Sequence, residues 1–365
     1  MDTDALQAEV DEWVHDGIIT EAQAEQILAR YETDEPRRSR AVLALSLVGT
    51  GLVFVGITLY LGTNWELLPR LARAAVLVAA PGLAYVGGFA AYGRGAHRIG
   101  HALIVLGAVL VGPSIFLFDD LFALGLADTW LLLAWTAVAL PTGEVLDSRV
   151  GTGFGLLVLV ASVVTLVEPA DPVPVIGLLG IVLFALGHRR TGRVGVTYRA
   201  GGVAVTLGSL LVLTTVERNF FRFELEPTAM LFAGVFGALA GALWLHAAGE
   251  RAGSHWTATA IGALGLSVVT AGLAPETVPG LVGFLGVHLA ALGGLLATGL
   301  LGYRTRSRTL IDLAALGGLL QTLSFVASTV VDGLSGSIAL VVAGLVLLAA
   351  GLALERGRRS LLAKL

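Results

Sequence analysis

Residues 280–302 read GLVGFLGVHLAALGGLLATGLLG, a run of 23 residues without a charged side chain. A helix rises about 1.5 Å per residue, so a run of this length crosses the roughly 30 Å of hydrocarbon in a bilayer. Similar runs follow one another along the chain between charged or proline-bearing breaks. They predict an all-α integral membrane protein, a polytopic bundle of twelve transmembrane helices near residues 41–61, 74–92, 102–118, 129–143, 150–167, 173–188, 200–216, 228–248, 257–274, 280–302, 309–331 and 337–354.

The composition of the whole chain supports this class and excludes several others. Only 14% of the 365 residues are charged, against about 25% in soluble domains. The chain has no cysteine, which excludes disulfides, thiolate metal sites and cysteine nucleophiles. No Walker loop occurs, and no charged residue lies near the middle of a predicted span. We therefore expect no enzyme, no catalytic or metal site, no cofactor and no nucleic-acid partner.

The chain divides into three parts. Residues 1–40 carry eleven acidic residues against four arginines and are predicted to form a cytoplasmic helical hairpin with a basic linker. Residues 41–354 form the bundle, and residues 355–365 form a basic tail. We expect the apolar stripes of the hairpin to pack on each other, and we leave open that they bind a cytoplasmic protein through residues 1–35. The candidate partner surface comprises Leu6, Trp13, Ile27 and Tyr31.

The orientation follows from the arginines and the single lysine. Cytoplasmic loops of membrane proteins hold the excess of Lys and Arg. With twelve spans, 19 of the 23 basic residues fall in one set of alternate segments and four in the other. This predicts that both termini lie in the cytoplasm, at the plasma membrane of a prokaryote. Three tryptophans near predicted span ends, Trp65, Trp130 and Trp256, are expected to anchor in the headgroup layer.

The segment after the first predicted span carries the most specific motif. Asn64 and Trp65, with Pro69 four residues further on, follow a glycine-rich span and precede one rich in leucine and alanine. With the helical pattern before it, this order resembles the membrane-protein family called domain of unknown function 2157, over roughly residues 4–165. The resemblance implies a multi-pass architecture and carries no activity with it.

Polar residues inside predicted spans are candidates for function, because burying them in lipid is costly. His288 lies about 12 Å from the start of its span and Gln321 about 18 Å from the opposite end of the next. The two form a candidate midplane polar pair, either an interhelical hydrogen bond or part of a polar substrate pocket. Asp312 is expected at the interface, near the start of its helix.

Two prolines suggest a competing function. Pro81 and Pro113 interrupt neighbouring predicted spans, as in the broken helices of transporters. The sequence nevertheless favours a non-enzymatic scaffold or sensor with a cytoplasmic interaction hairpin. The alternative is a secondary transporter or permease for a small solute or lipid. Two glycine pairs with the spacing of close helix contacts, Gly151/Gly155 and Gly237/Gly241, are attributed to chance in a chain with 48 glycines.

Overall fold

The structure is a computed structural model of the 365-residue chain. It describes most residues from 9 to 26, residues 63–167, 172–215, 229–272 and 280–326, and scattered positions from 341 to 359. The predicted first span, the sequence between 327 and 340, and Leu6, Ile27 and Tyr31 lie outside the described residues. The chain divides into two compact units, Met1–Arg73 and Ala74–Leu365.

In the first unit, residues 9–24 contain two helical stretches joined at Gly17, which has a positive φ of 70°. The second stretch starts with reciprocal hydrogen bonds. The Thr20 amide donates to Gln23 Oε1 at 2.9 Å, and the Gln23 amide donates to Thr20 Oγ1 at 3.3 Å. This is a capping box. Val10 and Ala24 are buried against each other and against Trp13, Val14 and Ile19.

From residue 70 to residue 326, all regular elements in the described part of the chain are helices. Ten α-helices follow one another, each coinciding with one of the predicted spans from the second to the eleventh. They are α1 (Arg70–Gly93), α2 (His97–Phe122), α3 (Asp128–Val145), α4 (Arg149–Val167), α5 (Pro172–Arg189), α6 (Gly192–Thr215), α7 (Ala229–Ala247), α8 (Arg251–Gly272), α9 (Gly280–Arg304) and α10 (Arg308–Val326).

Seven of these helices are long and apolar enough to cross a membrane: α1, α2, α4, α5, α6, α9 and α10. The described part of α7, Leu231–Ala247, is apolar but shorter. Large apolar side chains cover the outside of the bundle, including Leu83, Phe236 and Leu296, each about 70% exposed. Exposed apolar side chains of this kind are what a lipid-facing surface requires.

Glycines bring the helix backbones together. A Cβ on Gly202 of α6 would meet the carbonyl oxygen of Gly180 on α5 and lie 2.5 Å from the Phe184 amide nitrogen. The α3–α4 contact is equally close, since a Cβ on Gly155 would lie 2.6 Å from the Leu140 Cα. Without a strong hydrophobic force between helices in lipid, such small-residue contacts supply much of the packing.

The attribution of both glycine pairs to chance is wrong. Gly151 and Gly155 pack α4 against α3, where a Cβ on Gly151 would lie 3.0 Å from the Gly143 Cα. Gly237 and Gly241 pack α7 against α5, since a Cβ on Gly241 would lie 2.9 Å from the Ala185 Cβ. The spacing therefore marks real helix contacts in both cases.

The prediction of an interfacial anchor is also wrong for Trp256. Its side chain is only 2% exposed and packs in the main core, with its ring 4.4 Å from that of Phe184. Its indole Nε1 donates to Thr298 Oγ1 on α9 at 3.0 Å. This partner allows the polar end of the ring to be buried. Trp130, by contrast, is 67% exposed at the start of α3.

Candidate functional site

The structure brings the two midplane residues together. Gln321 Nε2 lies 2.6 Å from His288 Nδ1, and the side chains are only 3% and 4% exposed. The pair joins α9 to α10. Because an amide nitrogen only donates, His288 Nδ1 accepts this bond and Nε2 carries the ring proton.

Aromatic rings enclose the imidazole. The Phe284 ring centroid lies 4.3 Å from that of His288, and the Phe325 centroid lies 5.4 Å away at a nearly perpendicular angle. Three residues beyond Gln321 on α10, Ser324 shares a hydrogen bond of 3.0 Å with Thr214 of α6. The two phenylalanine rings give the imidazole an apolar lining.

Two atoms of the pair have no hydrogen-bond partner among the residues that the structure describes. His288 Nε2 and Gln321 Oε1 are both buried and unpaired, as is the hydroxyl of Ser267 on α8. A buried polar group left unpaired costs about 1–3 kcal/mol. The pair therefore offers one donor and one acceptor to a small polar molecule.

Pro81 and Pro113, the two candidate helix breaks, do not interrupt their helices. Both α1 and α2 continue through their prolines without interruption, and Pro113 is exposed on the outside of α2. The structure does not bring these prolines to the polar pair. Helix α2 packs on α3 and α4, whereas α9 and α10 pack on each other and on α6.

The family-like motif forms a compact turn before α1. Residues Trp65–Leu67 form a 3₁₀-helix, and Pro69 immediately precedes α1. Arg73 holds this turn: its Nη2 donates to the Glu66 carbonyl at 2.7 Å and its Nε to the Leu68 carbonyl at 3.0 Å. The guanidinium also lies 5.9 Å from the Trp65 ring centroid. Sequence reasoning missed Arg73, although its position one turn into α1 was a usable signal.

Asp312 pairs with the C-terminal tail. Arg358 Nε donates to Asp312 Oδ1 at 2.7 Å, although the two residues are 46 positions apart. The hydrogen bond and the charge of Asp312 raise the pKa of Arg358. In the same tail, a hydrogen bond from Arg359 lowers the pKa of Glu355. The structure therefore gives Asp312 an ion-pair partner that the sequence did not predict.

A second site, absent from the sequence-based candidates, lies at one end of the bundle. It is a pocket of about 870 Å³, within the usual range for ligand sites, formed where α1 ends and α2, α4 and α6 begin. Its polar lining consists of Tyr92, His97, Arg98, His101, Ser148, Arg149 and Arg193. We refer to it as the arginine pocket.

Two acidic residues beside the arginine pocket are held by other groups. Glu144 accepts a short hydrogen bond from Tyr198 and pairs with Arg190 at 3.1 Å. Asp147 Oδ1 accepts the backbone amides of Arg193 and Val194 at the start of α6. The arginines of this site were visible in the basic segments between predicted spans. The sequence did not show that three of these segments meet in one pocket.

Metal-ligand geometry is not found in the part of the chain that the structure describes. Within it, no three His, Asp or Glu side chains converge. His97 and His101 both line the arginine pocket, where the His101 Nδ1 lies 3.3 Å from the Tyr92 hydroxyl.

Comparison with known proteins agrees with the resemblance carried by Asn64, Trp65 and Pro69. No curated protein and no solved structure matched the chain. The N-terminal part of the chain, residues 11–152, matches the model of the family DUF2157, which is described as a predicted membrane protein.

Proposed function

We propose that the chain crosses the plasma membrane of a prokaryote twelve times, with both termini in the cytoplasm. The asymmetry of 19 basic residues against four supports this orientation. Three segments that the rule assigns to the cytoplasm, near Arg98, Arg149 and Arg193, line one pocket and therefore lie at one end of the bundle.

The ion pair between Asp312 and Arg358 supports the twelfth crossing. Asp312 lies near the start of α10, and Arg358 lies well beyond its end. The chain must therefore return to the end of the bundle at which α10 began. We assign this return to the twelfth predicted span, near residues 337–354, most of which lies outside the described residues.

In this membrane setting the protein acts as a non-enzymatic scaffold or sensor. The observation that carries this proposal is the closed surrounding of His288 and Gln321, which are almost fully buried beneath Phe284 and Phe325. A transporter needs its midplane site to open toward water on one side or the other. A closed, glycine-packed bundle suits an anchor.

The hairpin of residues 1–40 supplies the interaction surface in this proposal. Trp13 packs on the Val10–Ala24 core, so within the described residues it stabilises the hairpin itself. Outside that core, Ile18 is 67% exposed, and Glu12, Asp16 and Glu21 are also exposed. An apolar residue among carboxylates suits a cytoplasmic protein with a basic, partly apolar face.

The second candidate is a secondary transporter for a small polar solute or lipid. The observation in its favour is the pair of unpaired atoms, His288 Nε2 and Gln321 Oε1. A solute with one acceptor and one donor would satisfy both. The two candidates differ in whether water reaches this depth of the bundle.

A single cysteine at Ser267 tests the choice, because the chain has no other cysteine. Ser267 is fully buried, three residues from Thr270, whose side chain packs on Gly286. Counting about 1.5 Å per residue from that contact, it lies close to the level of His288. We expect Ser267→Cys, in native membranes, to resist a charged, water-soluble thiol reagent.

The matched control is Thr305→Cys, an exposed position in the turn between α9 and α10. This variant should react fully once the reagent has access to its side of the membrane. Rapid reaction of Ser267→Cys under the same conditions would contradict the scaffold proposal and favour the transporter.

A further inference from the structure

The arginine pocket contains three arginines that have no ion-pair partner among the described residues. Arg98, Arg149 and Arg193 form none of the ion pairs found among the described residues. The nearby carboxylates are held elsewhere, Glu144 by Arg190 and Tyr198 and Asp147 by backbone amides of α6. Like charges gathered around one cavity repel each other, and an anion between them turns that repulsion into attraction.

The chemistry of the arginine side chain limits the class of ligand that the pocket would bind. A guanidinium is planar and presents paired N–H donors that match two oxygens of a phosphate. Tyr92 and His101, joined by a 3.3 Å contact, add further polar atoms to the wall. The remaining lining, Ala102, Val105 and Val150, is apolar.

The start of α2 adds a fixed positive contribution. The N-cap residue, Ala96, makes no side-chain hydrogen bond to the first turn. At α4, by contrast, the Ser148 hydroxyl accepts the Gly151 amide, and at α6 Asp147 caps the first turn. A helix start without a side-chain cap presents amide hydrogens and a partial positive charge, which favour an anion.

The volume argues against a small inorganic ion as the complete ligand. A water molecule in the liquid occupies about 30 Å³, and the pocket measures about 870 Å³. A phosphate ester, with its phosphoryl group at the arginines and its organic part against Ala102, Val105 and Val150, uses both kinds of lining.

We propose that the arginine pocket binds the phosphoryl group of a phosphate ester, held by Arg98, Arg149 and Arg193. Two sources offer this chemistry at the end of a membrane bundle: an anionic phospholipid headgroup and a soluble phosphate. The inference goes beyond the scaffold proposal and holds whether or not the bundle transports a solute.

The test measures the thermal stability of the full-length protein in nanodiscs, because a ligand that binds the folded state raises Tm. In one arm, anionic phosphatidylglycerol replaces zwitterionic phosphatidylcholine. In the other, inorganic phosphate is added to phosphatidylcholine discs and compared with sodium chloride at equal ionic strength. We expect a rise in Tm in at least one arm. The arm that responds identifies the source.

Each of Arg98→Gln, Arg149→Gln and Arg193→Gln should lose most of that rise. All three arginines are exposed. The Tm without added ligand checks that each variant folds, and any one folded variant suffices for the test. The matched control is Arg251→Gln, which removes an exposed arginine from the first position of α8 just as Arg149→Gln does from α4. This control should keep the full rise.

The proposal would be overturned if the folded pocket variants kept the full rise in Tm. Two further results would also overturn it. One is the absence of any rise in Tm in both arms. The other is an equal loss in Arg251→Gln and in the pocket variants, which would mean that anions act on the general surface charge.

Discussion

His288 and Gln321 illustrate what single residues contribute to a bundle in lipid. Their side chains share one hydrogen bond of 2.6 Å, yet each keeps a buried atom without a partner. Measured interhelical bonds in membranes average about 0.6 kcal/mol, with a maximum near 1.7 kcal/mol. The pair therefore fixes the register of α9 and α10 more than it adds to stability.

A double-mutant cycle measures this bond. Gln321→Leu alone leaves both nitrogens of the buried His288 unpaired, so we expect it to lower the free energy of unfolding by about 1–3 kcal/mol. The variant carrying both His288→Leu and Gln321→Leu should lose less than the sum of the single variants, with a coupling of about 0.6 kcal/mol. Reversible unfolding in mixed detergent micelles gives these values.

Thr322→Val serves as the control for this cycle. The Thr322 hydroxyl donates to the Gly318 carbonyl of its own helix, so its effect should add to that of His288→Leu. Additive costs for His288→Leu and Gln321→Leu as well would show that the two side chains do not interact.

For single residues, the depth along the helix was predictable from the sequence, but the side of the helix on which the residue lies was not. The rise per residue put His288 and Gln321 at one depth on consecutive helices, which is where the structure has them. The same reasoning put Trp256 near a span end and missed that it faces Thr298. Rotation about the helix axis decides between lipid and core. In a helix that is apolar on every face, the sequence gives little information about that rotation.

Single helices in this protein are joined by backbone contacts at glycine. The α5–α6 pair is the clearest case, because Gly180 and Gly202 face each other and a Cβ on either would meet the other residue's carbonyl oxygen. Two further bonds cross this interface: Thr206 Oγ1 donates to the Gly177 carbonyl at 3.1 Å, and Ser209 Oγ donates to the Val173 carbonyl at 2.6 Å. Both depend on the close approach that the glycines permit.

Gly202→Ala should therefore separate α5 from α6. We expect a loss of about 1–3 kcal/mol in the free energy of unfolding, the usual cost of overpacking a tight contact. Gly208→Ala is the matched control on the same helix, where a Cβ would meet nothing within 4 Å. It should be neutral or stabilise the protein by up to about 1 kcal/mol, because alanine favours the helix over glycine.

Detergent-induced unfolding of both variants checks this prediction. An unchanged midpoint for Gly202→Ala, or an equal loss for Gly208→Ala, would mean that the α5–α6 contact is looser than described. The glycine spacing was visible in the sequence, but the choice between packed and lipid-facing glycines was not, since both kinds occur on α6.

At the scale of the whole molecule, the apolar runs in the sequence predicted where the helices lie along the chain. Ten described helices coincide with ten predicted spans, because hydrocarbon thickness sets their length. The arginine pocket escaped prediction for a different reason. Its arginines, at 98, 149 and 193, lie in the first turns of three helices. Whether those turns meet depends on how α2, α4 and α6 pack.

The central claim is that the chain crosses the membrane an even number of times and has both ends in the cytoplasm. It is tested most directly with single cysteines at three exposed positions: Ala22→Cys in the first unit, Gly357→Cys in the tail and Ala127→Cys between α2 and α3. A membrane-impermeant maleimide applied to intact spheroplasts should label only Ala127→Cys. After permeabilisation it should label all three. Labelling of Ala22→Cys, of Gly357→Cys or of both in intact spheroplasts would contradict the claim, because it would place that end of the chain outside the cytoplasm.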